Sequence, residues 1–176
     1  MIVAVLAGGR SRRMGRPKAL VPLGGAPLIA RPLAAARAAG LEPVVVAKAE
    51  LPVDAPIWID AFATSHPLSG LVTALERSGG PVIAVACDQP WLTPELLAAL
   101  AAHPGPFAVP AGLEPFPGRY APDARLVQAL RDEAPLRATL AALAPAEIDL
   151  TPFGDPARLV ASINTPAELA RAAAQI

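Results

Sequence analysis

Five of the fifteen basic side chains in this 176-residue sequence fall within nine positions: Arg10, Arg12, Arg13, Arg16 and Lys18. They follow Leu6-Ala7-Gly8-Gly9, which closes a short apolar run. Glycines there admit a tight turn with positive φ and let backbone N–H groups approach a ligand that a Cβ would hold off. Successive N–H groups in such a turn form a concave nest for an anion. The chain has as many acidic as basic side chains, fifteen of each, so a local excess of cations calls for a local anion. A polyphosphate is the natural one. Lysine usage sharpens the reading, because Lys18 and Lys48 are the only lysines beside thirteen arginines. A compact ammonium suits a phosphate that needs a point charge, whereas guanidinium offers a planar fork. The plainer alternative is a solvated basic loop. The spacing matches neither G-x-x-x-x-G-K-[ST] nor G-x-G-x-x-G, so neither standard nucleotide fingerprint is present.

Two acidic residues complete the set. Asp60 follows Ile57-Trp58-Ile59, and Asp88 follows the apolar stretch 82–87. Both are expected just past the carboxyl end of a strand, as is the glycine turn. In open α/β sheets ligands bind outside those ends, so the three features should meet on one side of the molecule. A carboxylate at Asp88 can hold Mg²⁺, which uses one or two carboxylates plus substrate phosphates. The alternative for either aspartate is a turn cap.

The elements that must position these groups are legible in the first hundred residues. Continuous apolar runs at 2–6, 44–47, 57–59 and 82–87 are the pattern of strands covered on both faces. A first helix is expected from Pro27 through residues 28–39, with Gly40 as its stop. Ser69 is the expected N-cap of a second helix that ends before Gly79, and Thr93-Pro94-Glu95 opens a third. Thr165-Pro166 repeats that signal before a last helix. The expected fold is α/β, three-layer and Rossmann-like, with a mainly parallel (mixed) central sheet and helices on both faces. The later half offers strands at 107–109, 119–120 and 148–150 and helices at 124–131 and 136–143.

A length of 176 residues with 53% hydrophobic and 17% charged side chains points to one folded domain. Zero net charge gives no field for nucleic acid or an anionic membrane. No apolar stretch is long enough to span a bilayer, and the amino terminus lacks the basic segment of a signal peptide. A single cysteine, Cys87, excludes an internal disulfide and fits a reducing compartment, so a cytoplasmic protein is expected. Cys87 itself reads as a small core residue. His66 reads as a loop residue, His103 as a helix-end feature, and Trp58 and Trp91 as packing.

The pattern L-A-G-G-x-S-x-R-M-G-x-x-K, residues 6–18, resembles the molybdenum cofactor guanylyltransferases of the MobA type, a family of nucleotidyltransferases. In that resemblance Leu6, Ala7, Gly8, Gly9, Lys18, Asp60 and Asp88 bind nucleotide, Asp88 carries Mg²⁺, and Lys18, Asp88 and Arg13 are catalytic. Relatives that transfer CMP usually read L-A-A-G, so Gly8 points toward guanine. Ser162-Ile163-Asn164-Thr165-Pro166 is similar to the family's N-x-N-T-P element and assigns Asn164 to acceptor binding. The segment 114–120 is similar to one near the pterin side and adds Arg119. Three positions depart from the family: His66 where glycine is usual, Ser162 for the first asparagine, and Lys48 where asparagine often stands near the nucleoside. Either Lys48 substitutes for that contact or the contact is absent.

The resemblance implies transfer of GMP from GTP to the phosphate of molybdenum-bound molybdopterin, with release of pyrophosphate. It also implies a nucleotide-binding part at about 1–104 and an acceptor-binding part at about 105–176, with cofactor-delivery or acceptor enzymes as partners. The competing readings are a cytidylyltransferase or sugar-phosphate nucleotidyltransferase of the same fold, and a nucleotide-binding module without turnover. An NAD-dependent oxidoreductase is disfavoured because the dinucleotide fingerprint is missing.

Overall fold

Alternate residues of the inner strands pack to opposite faces of one sheet, which is why their apolar runs are unbroken. In β1 (Ile2–Leu6), Val3 and Val5 join one core cluster and Ala4 the other. The computed structural model describes residues 1–8, 17–64 and 66–176. After β1 come a 3-10 turn (Lys18–Leu20), the short strands β2 (Pro22–Leu23) and β3 (Ala26–Pro27), and α1 (Ala30–Ala38). Next are β4 (Glu42–Ala47), β5 (Ile57–Ile59), α2 (Pro67–Ser78), β6 (Val82–Ala86) and α3 (Pro94–Ala102). Then follow β7 (Phe107–Pro110), β8 (Gly118–Tyr120), α4 (Ala124–Arg131), α5 (Leu136–Leu143) and β9 (Ala146–Ile148). A second 3-10 turn (Thr151–Phe153), α6 (Pro156–Leu159) and α7 (Pro166–Ala173) close the chain.

Seven strands form one sheet in the order β5-β4-β1-β6-β8-β7-β9. β1 runs parallel to β4 and β6, and β4 to β5. β8 is antiparallel to both β6 and β7, while β9 returns parallel to β7. The expected mixed, mainly parallel α/β architecture is therefore the observed one. One face buries Leu33 of α1 and Leu96, Leu97 and Leu100 of α3. The other buries Leu68, Leu71 and Leu75 of α2, Leu126 and Leu130 of α4, and Leu140 and Leu143 of α5. Two-sided burial removes much apolar surface from water at about 25 cal/mol per Å², and it fixes the strand ends.

Register decides what those ends present. Leu6 pairs with Val46 on one side and Ala86 on the other, and Ala47 pairs with Ile59. The residues that follow, 7–8, 48, 60 and 87–88, thus emerge side by side along one rim.

Some local expectations need correction. Pro27 does not open a helix: it ends a hairpin, pairing with Pro22 across Gly24 and Gly25 at φ 62° and 82°. Two consecutive positive-φ residues are a turn that glycine makes without strain, and α1 starts only afterwards. The N-cap of α2 is His66, whose Nδ1 accepts from the Leu68 N–H, while Ser69 lies inside the helix. The edge strand β9 starts two residues before its expected place. Thr93 caps α3 as expected, and Thr165 with Glu168 forms a full capping box on α7. Among the described residues no helix is long and apolar enough to cross a membrane.

Candidate functional site

Lys18 opens the 3-10 turn behind Pro17, whose φ is fixed near −53°. Its ammonium donates to Oδ2 of Asp88 and, at 2.7 Å, to Oδ1 of Asn164. The two charged side chains are 19% and 10% exposed, so they pair at the border between solvent and core.

The turn carrying Asp88 is held by its neighbour. Gln89 is buried; its Oε1 accepts from the Ala86 N–H at 3.1 Å and its Nε2 donates to the Phe116 carbonyl at 2.7 Å. The backbone of Asp88 then docks the carboxyl-terminal segment, because the Ile163 N–H donates to the Asp88 carbonyl at 3.0 Å. Asn164 is fixed from behind, its N–H donating to Glu168 Oε2 at 2.6 Å. That bond, more than any other contact, holds the Glu168 carboxyl below its usual range. Burial and the adjacent Asp88 charge push the Cys87 thiol up to about 12, so Cys87 is the neutral packing group the sequence indicated.

A second charged pair sits on the other side of β1. Asp60 accepts at Oδ2 from Ser69 Oγ at 2.7 Å and Lys48 Nζ at 2.8 Å, and at Oδ1 from the Phe62 N–H at 3.0 Å. Lys48 also donates to the Phe62 carbonyl at 2.5 Å. The Asp60 side chain is 1% exposed against 31% for Lys48, so a ligand arriving from solvent meets the lysine. Asp60 thus stands at the rim where the sequence placed it, bonded to Lys48, Ser69 and the Phe62 N–H. Gly8 lies beside this pair, with space for a Cβ 3.9 Å from both Lys48 Cγ and Asp60 Oδ2, and its φ is not in the left-handed region. The positive φ expected of the turn is thus not found at Gly8, where a Cβ would make ordinary van der Waals contacts with described residues.

The remaining expectations fall out unevenly. The Ala7 N–H donates to the Val46 carbonyl and the Leu6 carbonyl accepts from the Cys87 N–H, so these backbone groups extend the sheet and that amide is spent. Gly9 and Arg13 lie outside the described residues. Arg119 is not brought to the site. Its guanidinium donates to the carbonyls of Gly105 and Ala101 and reaches Met1, at the sheet end where β1 begins. The antiparallel run of β8 is the physical reason, since it pairs Arg119 with Ile83, near the start of β6. Trp91 packs under Arg158, 4.1 Å from the ring centroid. His103 ends α3, its Nδ1 accepting from the Gly105 N–H.

Sequence reasoning missed Gln89 and the Lys48–Asp60–Ser69 network. Gln89 leaves no signal of spacing, whereas Glu168 three residues after Thr165 is a capping box readable from the sequence.

Chemically, the rim offers an ammonium and a carboxylate at the end of β6 and a sealed carboxylate with a lysine at the end of β4 and β5. Among the described residues no group of three or more His, Cys, Asp or Glu could hold a metal by itself. The fold is shared with solved nucleotidyltransferases. 2-C-methyl-D-erythritol 4-phosphate cytidylyltransferase of Thermus thermophilus superposes with TM-score 0.67 at 20% identity over 98% of this chain and 97% of that one. Molybdopterin-guanine dinucleotide biosynthesis protein A of Archaeoglobus fulgidus reaches 0.83 at 27% identity, covering 99% of this chain and 98% of its own. In sequence, a molybdenum cofactor guanylyltransferase of Rhodobacter capsulatus is 36% identical across 96% of this chain and 92% of its own length. Residues 3–149 match the MobA-like NTP transferase domain. The chain belongs to that nucleotidyltransferase family.

Proposed function

We propose that this nucleotidyltransferase moves GMP from GTP to the phosphate of molybdenum-bound molybdopterin. The observation that carries the reading is the convergence of Lys18, Asp88 and Asn164 at one rim, with no nucleophile–base pair there among the described residues, in a chain of this family. None is needed. The acceptor is a phosphate monoester and already a competent anion at neutral pH. Its oxygen attacks the α-phosphorus of GTP, a P–O–P bond forms, the bond to the β-phosphate breaks, and pyrophosphate leaves with the electron pair.

What opposes this reaction is repulsion between two anions and charge on the departing group. Lys18 meets both by electrostatic stabilisation, and Asn164 and Asp88 hold its ammonium in place before substrate arrives. An incoming triphosphate competes with Asp88 for that ammonium, which leaves the carboxylate for a cation. One carboxylate is the donor set Mg²⁺ accepts when nucleotide phosphates supply the rest, so the residues present fit the ion. When bound, Mg²⁺ would neutralise phosphate charge beside Asp88. Residues 1–104 serve the nucleotide, and the segment bearing Asn164 serves the acceptor.

The test is incubation of the chain with α-labelled GTP, molybdenum-loaded molybdopterin and Mg²⁺, scored for pyrophosphate and labelled dinucleotide. CTP and ATP run in parallel. Turnover with GTP well above the other two is expected. Equal or greater turnover with CTP would overturn the guanylyl reading, and binding without pyrophosphate release would overturn the enzymatic one.

A further inference from the structure

His66 stands where glycine is usual in the family, and its imidazole caps α2. Nδ1 accepts from the Leu68 N–H at 3.2 Å, so the neutral ring carries its proton on Nε2. The backbone of the same residue is held from both sides. Its N–H donates to Thr64 Oγ1 at 3.1 Å, and its carbonyl accepts from the Ser69 N–H at 3.0 Å. The Ser69 hydroxyl has one proton and two acceptors in range, Asp60 Oδ2 at 2.7 Å and the His66 carbonyl at 2.9 Å. Because the Ser69 N–H already serves that carbonyl, the hydroxyl is left for the carboxylate. A half-buried ring that can take up a proton is thus joined, through one turn of helix, to a buried carboxylate on the rim. We propose, resting on the guanylyl-transfer reading above, that His66 is a proton-sensitive positioning residue: its neutral ring keeps Ser69 on Asp60, and protonation in acid releases that hold and weakens nucleotide binding.

Two effects make the protonated ring unfit for this cap. An imidazolium bears hydrogen on both nitrogens, so Nδ1 meets the Leu68 N–H as donor against donor, and buried Leu68 has little water to take over the bond. The new charge also sits at the positive end of α2. Once the first turn loosens, the Ser69 N–H no longer satisfies the His66 carbonyl, and the hydroxyl turns from the carboxylate to that oxygen. The charged groups on the surrounding elements are few. Lys48, at the end of β4, pairs with Asp60 at 2.8 Å, and Glu42 stands at the opposite end of that strand. The end of α4 brings Arg131, Asp132 and Glu133: Glu133 Oε1 accepts from Thr64 Oγ1 at 3.3 Å, Asp132 accepts from Gln128, and Arg131 is exposed. On α2 itself Glu76 and Arg77 lie in the last turn, and β1 and β6 carry no titratable side chain. Histidine is the side-chain type that changes charge between about pH 5 and pH 8, and these neighbours include no second one. His103, the other histidine of the chain, ends α3.

The experiment measures equilibrium binding of GTP, with Mg²⁺, to the full chain from about pH 8 down to about pH 5, as wild type, His66→Asn and His66→Ala. Asparagine caps a helix without titrating, and alanine does neither. Titration of the nucleotide's own phosphates is common to all three chains, so the readout is the ratio of wild-type to variant affinity at each pH. His66→Asn should match wild type at the alkaline end and bind about fivefold tighter than it at the acid end, the worth of one helix cap. His66→Ala should be weaker at the alkaline end by the same factor, with wild type converging on it in acid. A second set tests the step through Ser69. In a Ser69→Ala background, His66→Ala should cost little more and the acid loss should vanish. Ratios that stay level across pH would overturn the proposal. So would an acid loss that persists in full in Ser69→Ala, because the effect would then bypass the hydroxyl. Pyrophosphate release with molybdopterin acceptor, run alongside, keeps the two readings apart. Level ratios with release intact remove this proposal alone, and a pH-dependent ratio without release keeps it and removes guanylyl transfer.

Discussion

Lys18 and Asn164 stand 146 positions apart in sequence, and the lysine ammonium donates to the asparagine Oδ1 at 2.7 Å. The site is assembled from the two ends of the chain across the middle strand, with Asp88 as the hinge post between them. Everything that steadies Asn164 therefore steadies Lys18.

Removing either charge of the central pair should nearly abolish transfer. Lys18→Ala and Asp88→Ala should each lower kcat about a hundredfold to a thousandfold, the usual loss for a preorganised charge at a phosphoryl centre. Steady-state pyrophosphate release checks this, and a variant keeping a tenth of wild-type turnover would refute its assigned role.

Asn164→Ala should act more mildly. It deletes one bond to an ammonium that keeps Asp88, so roughly a tenfold drop in kcat/KM is expected, the equivalent of one charge-assisted hydrogen bond. Melting temperature should barely change, since Asn164 is exposed.

Glu168 gives a pH signature. Its folded pKa is lowered, chiefly by the Asn164 N–H, so its contribution is present above the unfolded value and is lost as pH falls through the folded one. Glu168→Gln should melt below wild type near neutral pH, and the gap should close in acid. Thermal melts across that window test it; a gap that persists in acid would mean the carboxylate charge is not what holds the segment.

Cys87 should resist thiol reagents in the native state. With its pKa pushed up to about 12 and its side chain buried, almost no accessible thiolate exists at mildly alkaline pH. Labelling should appear only on unfolding, which a denaturant series followed by mass spectrometry reads directly.

Gln89→Leu should be costly to stability. It leaves the half-buried Ala86 N–H and Phe116 carbonyl without their Gln89 partner, at up to about 1–3 kcal/mol for each group stranded. Urea midpoints would show the loss, and a change below half a kilocalorie would show that water takes over both bonds.

The strands β1, β4 and β6 were legible because burial on both faces writes an unbroken apolar run. β5 was legible from its Ile57-Trp58-Ile59 run, although it lies at the sheet edge with Ile59 exposed. Thr93 and Thr165 were legible because a cap is a local chemical rule. Asp88 followed from its place at a strand end, and Lys18 from the basic cluster after the glycine turn and the scarcity of lysine. The β2–β3 hairpin was misread because Pro27 fits a helix start as well as a turn exit, and only the backbone of Gly24 and Gly25 decides between them. Arg119 was misplaced because nothing in its neighbourhood announces that β8 runs backwards. The sealed Asp60 was hidden for a different reason: its partners Lys48 and Ser69 come from a strand end and a helix, and a linear reading cannot add up who reaches a carboxylate first.

The family match stops at residue 149, yet the strap that meets Lys18 lies beyond it, at 163–164. A fragment trimmed to the matched region would keep Lys18 and Asp88. It would lose the amide that restrains one and the N–H that docks on the other. Boundaries drawn from that match alone would remove a late strap, residues 163–164, that closes over the first turn of the chain.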